Sequence, residues 1–136
     1  MGLVLIADDE PGIRLLLRMT LKGAGHEVLE ARDGDEALDA LRSHRPCVAI
    51  LDVQMPGRSG LDVCRAVRAD PALAHIGLVV VTANGQADDI RAVYDAGADA
   101  YVAKPFAPSR ILSVVAGLAA RQVAGDHAPC EGEPVP

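Results

Sequence analysis

Four apolar runs in this chain stop at a residue that can do chemistry. Leu3-Val4-Leu5-Ile6-Ala7 ends in Asp8-Asp9-Glu10, and Val48-Ala49-Ile50-Leu51 ends in Asp52, followed by Val53-Gln54-Met55-Pro56-Gly57. The run 76–81 ends at Thr82, and 99–103 ends at Lys104-Pro105-Phe106. Singly, each has an ordinary explanation: acidic residues cap helices, threonine is common in strands, and lysine marks a solvated boundary. If the runs are parallel strands, however, all four ends fall on one edge of a sheet, where ligands bind in open α/β folds. Three carboxylates brought together there repel one another unless a cation neutralises them. Ligation by a few carboxylates and a loop carbonyl suits Mg²⁺, which keeps several waters and shares its shell with phosphate oxygens. Lys104, one of only two lysines against eleven arginines, adds a compact positive charge where a guanidinium fork would not serve. An aspartate flanked by metal, ammonium and hydroxyl is equipped to attack phosphorus, with Thr82 donating to a phosphoryl oxygen and moving when one arrives.

The elements that would hold these residues follow from periodicity. Helices are predicted from Pro11 to about Gly23, from the Asp33-Gly34-Asp35 turn to about His44, from Ser59 or Gly60 to Asp70-Pro71, over about 86–96, and from Pro108 or Ser109 to about Arg121. Core positions are Ile13, Leu16, Leu17 and Leu21 in the first, with Arg14 and Arg18 outside. In the third, Leu61, Cys64 and Val67 face inward while Arg65 and Arg68 face solvent; in the fourth the inward residues are Ile90, Val93 and Tyr94. Strands are predicted at 3–7, 26–31, 47–52, 76–81 and 99–103. Five strands alternating with five helices require a doubly wound α/β fold, a parallel sheet with right-handed crossovers covering both faces.

With 136 residues, half of them hydrophobic, the chain suits one domain. The expected division is a folded domain over 1–121 and a flexible tail over 122–136, whose fifteen residues include three Pro, two Gly and three acidic side chains. One Phe, two Tyr, no Trp and a net charge of −6 argue against direct nucleic-acid binding. No apolar run approaches a membrane span, and the start lacks a basic signal-peptide region, so a cytoplasmic protein without membrane insertion is expected. Cys47, Cys64 and Cys130 are odd in number and lack metal-ligand spacing, which fits reduced thiols.

Four motifs in this order give the chain a resemblance to the receiver domain of two-component response regulators over about Leu3 to Arg121. They are Val4-Leu5-Ile6-Ala7-Asp8-Asp9-Glu10, Asp52-Val53-Gln54-Met55-Pro56-Gly57 with Gly60, Val81-Thr82-Ala83, and Gly97-Ala98-Asp99-Ala100-Tyr101 leading into Lys104-Pro105-Phe106. The resemblance implies a flavodoxin-like five-stranded sheet in the order 2-1-3-4-5. It implies Asp52 as phosphoacceptor, Mg²⁺ held by Asp9, Asp52 and the Gln54 carbonyl with help from Asp8, and Lys104 on the acyl phosphate with a cis bond to Pro105. Thr82 and Tyr101 match the family's switch pair, and Gln54 and Asn84 occupy positions that tune phosphoryl loss. The implied partners are a histidine kinase or histidine phosphotransfer protein as donor and a downstream effector protein, met through the fourth helix, fifth strand and fifth helix. Homodimerisation through that face stays open, as does a receiver that is part of a longer regulator.

Two other functions use similar residues. Aspartyl-nucleophile phosphohydrolases combine Asp, Thr or Ser, Lys and an acidic pair, but resemble one another in an Asp-x-Asp motif whose second position here is Gln54. A receiver that is never phosphorylated and serves only as an interaction module is the third reading, against which the complete set of site residues argues.

Overall fold

The structure, a computed structural model, describes residues 2–83 and 87–124. The chain runs β1 (Leu3–Ala7), α1 (Pro11–Gly23), β2 (Glu27–Ala31), α2 (Gly34–His44), β3 (Val48–Asp52), α3 (Gly60–Ala69), β4 (Gly77–Thr82), α4 (Ala87–Asp95), β5 (Ala100–Ala103) and α5 (Pro108–Ala124). Strands without polar alternation must be covered on both faces. β1, β3 and β4 are such strands and are buried along their whole length, whereas β2 and β5 are only partly buried. All pairings are parallel and the order is β2-β1-β3-β4-β5. That is the doubly wound sheet expected.

Alternate residues of the central strands feed two cores. Val4, Ile6, Ile50 and Val79 pack with Leu17 and Leu21 of α1 and Ile111 and Val115 of α5. Leu5, Leu51 and Val80 pack on the opposite face with residues of α2, α3 and α4 such as Leu41, Val67 and Val93. Burying each such branched side chain is worth about 2 kcal/mol, which fixes the register that aligns the strand ends. The caps agree with this arrangement: the Asp33 carboxylate accepts from the Glu36 N–H, and Ser59 and Asp62 form a reciprocal capping box on α3.

Several side chains lie elsewhere than helical spacing predicts. Leu16 is exposed on α1, while Arg14, expected in solvent, is only 14% exposed and lies with Arg18 against Glu30 of β2. The inward line of α1 is therefore 13, 17 and 21, and positions 14 and 18 turn toward the neighbouring strand. Val63 joins Cys64 and Val67 inside α3, and Leu61 is half-buried. Tyr94 is 46% exposed and meets Tyr101 edge-on, ring centroids 6.2 Å apart. Helix α5 continues to Ala124, past the boundary expected at Arg121; the rest of the expected tail, 125–136, lies outside the described residues. Cys64 is a free buried thiol pushed up to about 12 by burial, but Cys47 is disulfide-bonded. The expectation of reduced thiols is corrected there, because spacing along a chain does not determine pairing across it.

Arg68 departs furthest from expectation. Its guanidinium folds back under the sheet, donating to the carbonyls of Gly97, Ala74 and Ile76 at 2.7–2.9 Å and to Asp99 Oδ2 at 2.7 Å. The Leu78 N–H donates to the same carboxylate oxygen at 2.9 Å, so one ion pair ties α3, the loop after it, β4 and β5 together at the edge away from the site. Arg68→Met removes the guanidinium from those three carbonyls and from Asp99, which keeps the Leu78 N–H, and urea unfolding is expected to show a loss of about 3 kcal/mol. Arg65→Met, at an exposed pair with Asp62, is expected to leave the urea midpoint nearly unchanged.

Candidate functional site

Parallel register delivers the strand ends to one place. Asp52 is paired with Val81 and Thr82 with Ala103, so the last residues of β3, β4 and β5 step across the sheet beside the end of β1. Asp8, Asp52 and Thr82 are buried, whereas Asp9 and Glu10 are exposed at the rim. Carboxylate oxygens of Asp8, Asp9, Glu10 and Asp52 all lie within 4.8 Å of one another. Lys104 Nζ reaches into this group, 3.3 Å from Asp8 Oδ2, 3.3 Å from Asp52 Oδ2 and 3.5 Å from Glu10 Oε1. The Lys104–Pro105 bond is cis. The Lys104 N–H donates to the Thr82 carbonyl at 2.8 Å, which joins the ammonium's backbone to the strand carrying the hydroxyl.

The loop after Asp52 is shaped by contacts close to the backbone. Gln54 N–H donates to Asp52 Oδ1 at 3.3 Å, and Gly60 N–H donates to the Val53 carbonyl at 3.1 Å. A Cβ on Gly60 would fall onto the Asp52 carbonyl oxygen, so glycine is required where α3 begins. Arg58 holds the outer side of the loop to α2 through Asp35, 2.8 Å away.

A cleft of about 340 Å³ opens above these groups, lined by Asp9, Asp52, Gln54, Thr82, Asp89 and Lys104 among others. It brings together the residues expected at the site, with Asp8 lying beneath it in the carboxylate cluster. Tyr101 is the exception: it lies outside the cleft, half-buried on β5 against Tyr94. Asn84 lies outside the described residues. Sequence reasoning missed Glu10 and Asp89 as site residues. Glu10 stands directly after the acidic pair, but at a helix start it reads as an end-of-helix charge; Asp89 belongs to α4 and had no strand-end signal.

Burial first, and the nearby Asp8 carboxylate second, push the Asp52 carboxyl above its ordinary value, against the opposing pull of Lys104 and the Gln54 N–H. Burial also works against the charge on Lys104, but Asp52 and Asp8 outweigh it and hold the ammonium above its ordinary value. One ammonium thus offsets part of the charge of four carboxylates. The donor set is hard oxygen throughout and close enough for one ion to bridge, so the residues present fit a small divalent cation.

The response regulator receiver domain family matches residues 4–116. The chain is 38% identical over 112 residues to the DNA-binding response regulator MtrA of Mycolicibacterium smegmatis, covering 82% of this chain and 48% of that protein. It is 33% identical to the phosphate regulon transcriptional regulatory protein PhoB of Pseudomonas aeruginosa, covering 94% of this chain and 56% of that one. The chain therefore spans about half the length of these relatives. Among solved structures, it superposes on a response regulator from Chloroflexus aurantiacus with a TM-score of 0.84 at 36% identity, covering 88% and 98% of the two chains. On the Vibrio cholerae chemotaxis protein CheY4 the TM-score is 0.82 at 32% identity, with 87% and 98% covered. Among the described residues no helix is long and apolar enough to cross a membrane.

The raised Asp52 has a thermodynamic consequence. A carboxyl that is harder to ionise when folded weakens the fold above its folded pKa, and the penalty vanishes below the unfolded value. Asp52→Asn is therefore expected to raise the melting temperature by several degrees at pH 7 in EDTA. Its advantage should shrink as pH falls through the interval between the raised value and the ordinary carboxylate value of 3.8. Thermal melts at neutral and acid pH measure both quantities.

Proposed function

The chain belongs to the response regulator receiver domain family, and from that premise we propose that it is a phosphorylation-controlled signalling switch whose phosphoacceptor is Asp52. The observation that carries this reading is the approach of Lys104 Nζ to Asp52 and Asp8 beneath an open cleft. An Asp52 oxygen forms a bond to phosphorus while the bond to the donor's nitrogen or oxygen breaks in line, leaving an acyl phosphate. The proposed donor is a histidine kinase or a histidine phosphotransfer protein, whose phosphohistidine would approach Asp52 through the open cleft. Lys104 stays in place and pairs with a phosphoryl oxygen, exchanging carboxylate contacts for phosphate contacts. Thr82 donates its hydroxyl to another. Mg²⁺ is the proposed cation, held by Asp8, Asp9, Asp52 and the backbone carbonyl of Gln54; it supplies positive charge to the phosphoryl oxygens.

Thr82 lies on β4 and Tyr101 on the neighbouring β5. Movement of the Thr82 hydroxyl toward a phosphoryl group frees room that Tyr101 fills, at the cost of its edge contact with Tyr94. The surface of α4, β5 and α5 then changes and meets the effector protein. Group transfer to and from this one side chain is the extent of the chemistry proposed: the Asp-x-Asp position that phosphohydrolases use as acid/base holds Gln54. The DNA binding named for MtrA is not assigned to these residues, because they span about half of that protein and carry a net charge of −6.

Incubation with acetyl phosphate and Mg²⁺, read by intact mass, is expected to add one phosphoryl group to the wild-type chain and none to Asp52→Ala. EDTA should abolish the addition. Equal labelling of Asp52→Ala, or labelling indifferent to EDTA, would contradict the reading. Sustained multiple turnover of a phosphate monoester would favour the hydrolase.

A further inference from the structure

Arg14 lies where a solvated helix face was expected, yet its side chain is among the least exposed charges of α1. Its Nη1 donates to the backbone carbonyl oxygen of Asp8 at 2.7 Å. Its Nε lies 3.5 Å from Glu30 Oε1, and Arg18 Nη1 holds the other oxygen of that carboxylate at 2.8 Å. On the other side of the same residue, Asp8 N–H donates to the carbonyl of Ala31, the residue after Glu30, at 3.2 Å. The ends of β1 and β2 and the first turns of α1 are thus closed into one ring of contacts around Asp8.

The carbonyl that Arg14 grips belongs to the peptide joining Asp8 to Asp9. That unit is planar, so fixing the oxygen also fixes the direction of the Asp9 N–H and Cα, and with them the direction from which the Asp9 side chain starts. Asp8 itself is held below: its Oδ1 accepts from Glu10 N–H at 2.9 Å and its Oδ2 meets Lys104. Asp9, exposed at the rim, is the carboxylate of the pair that needs an external guide.

We propose that Arg14, braced by Glu30, is a positioning residue that orients the Asp8–Asp9 peptide so that Asp9 presents its carboxylate to a divalent cation shared with Asp52. This rests on the cation site proposed above. Two effects of Arg14 oppose each other. Orientation favours the cation, because groups that hold metal ligands in place commonly change affinity ten- to a hundredfold. The guanidinium charge disfavours it by repulsion, although Glu30 neutralises much of that charge locally. The two effects give opposite signs on removal, which makes them separable.

The experiment is a Mg²⁺ titration of the unphosphorylated full chain followed by amide NMR shifts, with a thermal melt of each variant. Arg14→Met is expected to bind Mg²⁺ about tenfold more weakly than wild type. Arg14→Lys, which keeps the charge but cannot fork between the carbonyl and Glu30, is expected to bind about threefold more weakly. Unchanged or tighter binding by a folded Arg14→Met overturns the proposal, since a merely structural or repulsive role predicts that result. Where Arg14→Met does not fold, Arg14→Lys binding as tightly as wild type overturns it. Failure of the wild-type chain to show any saturable Mg²⁺ shift would instead remove the cation site itself.

Discussion

The ammonium of Lys104 among the carboxylates of Asp8, Glu10 and Asp52 is the interaction on which the rest of the site depends. Two like charges about 4 Å apart repel by about 4 kcal/mol at an effective dielectric constant of about 20. Four carboxylate groups with oxygens within 4.8 Å of one another therefore strain against one lysine. The imbalance has a purpose under the proposed function. A site that is short of positive charge attracts a divalent ion, and the ion together with Lys104 then has positive charge to offer the oxygens of an incoming phosphoryl group. Asp52 is held above its ordinary pKa by burial and by Asp8, which expresses the same shortage as a measurable property.

Keeping like charges together requires a frame that does not yield. The sheet supplies it by burying β1, β3 and β4 on both faces, so that a register slip would expose whole rows of Val, Ile and Leu. Around the site the frame is tightened by backbone contacts: Gly60 under the Asp52 carbonyl, the Lys104 N–H on the Thr82 carbonyl and the Asp8 N–H on the Ala31 carbonyl. At the opposite edge, Arg68 and Asp99 hold the starts of β4 and β5. The α4 and β5 surface is less buried: Tyr94 is half-exposed and touches Tyr101 edge-on. Under the proposed switch, that is also where movement is required.

Much of this was legible in the sequence because burial on both faces writes unbroken apolar runs, and the run ends at Asp8, Asp52, Thr82 and Lys104 marked the site edge. Strand order is not written in periodicity and came from the family resemblance. The arginines were misread for a physical reason. A long side chain can start at a solvent-facing Cα and still carry its guanidinium inward, as Arg14 does to the Asp8 carbonyl and Arg68 does to three carbonyls. Glu10 and Asp89 were missed because their place in the cleft depends on how loops and α4 close over the sheet, which no local spacing records. The bond at Cys47 was equally invisible, since spacing along the chain does not determine pairing.

The central claim is that the charge arrangement makes Asp52, and not its acidic neighbours, the residue that accepts phosphorus. Borohydride reduction after treatment with acetyl phosphate and Mg²⁺ converts an acyl phosphate to an alcohol, and peptide mass spectrometry then locates the converted residue. The account predicts homoserine in place of Asp52 alone. Conversion at Asp8, Asp9 or Glu10, or no conversion anywhere, would contradict it.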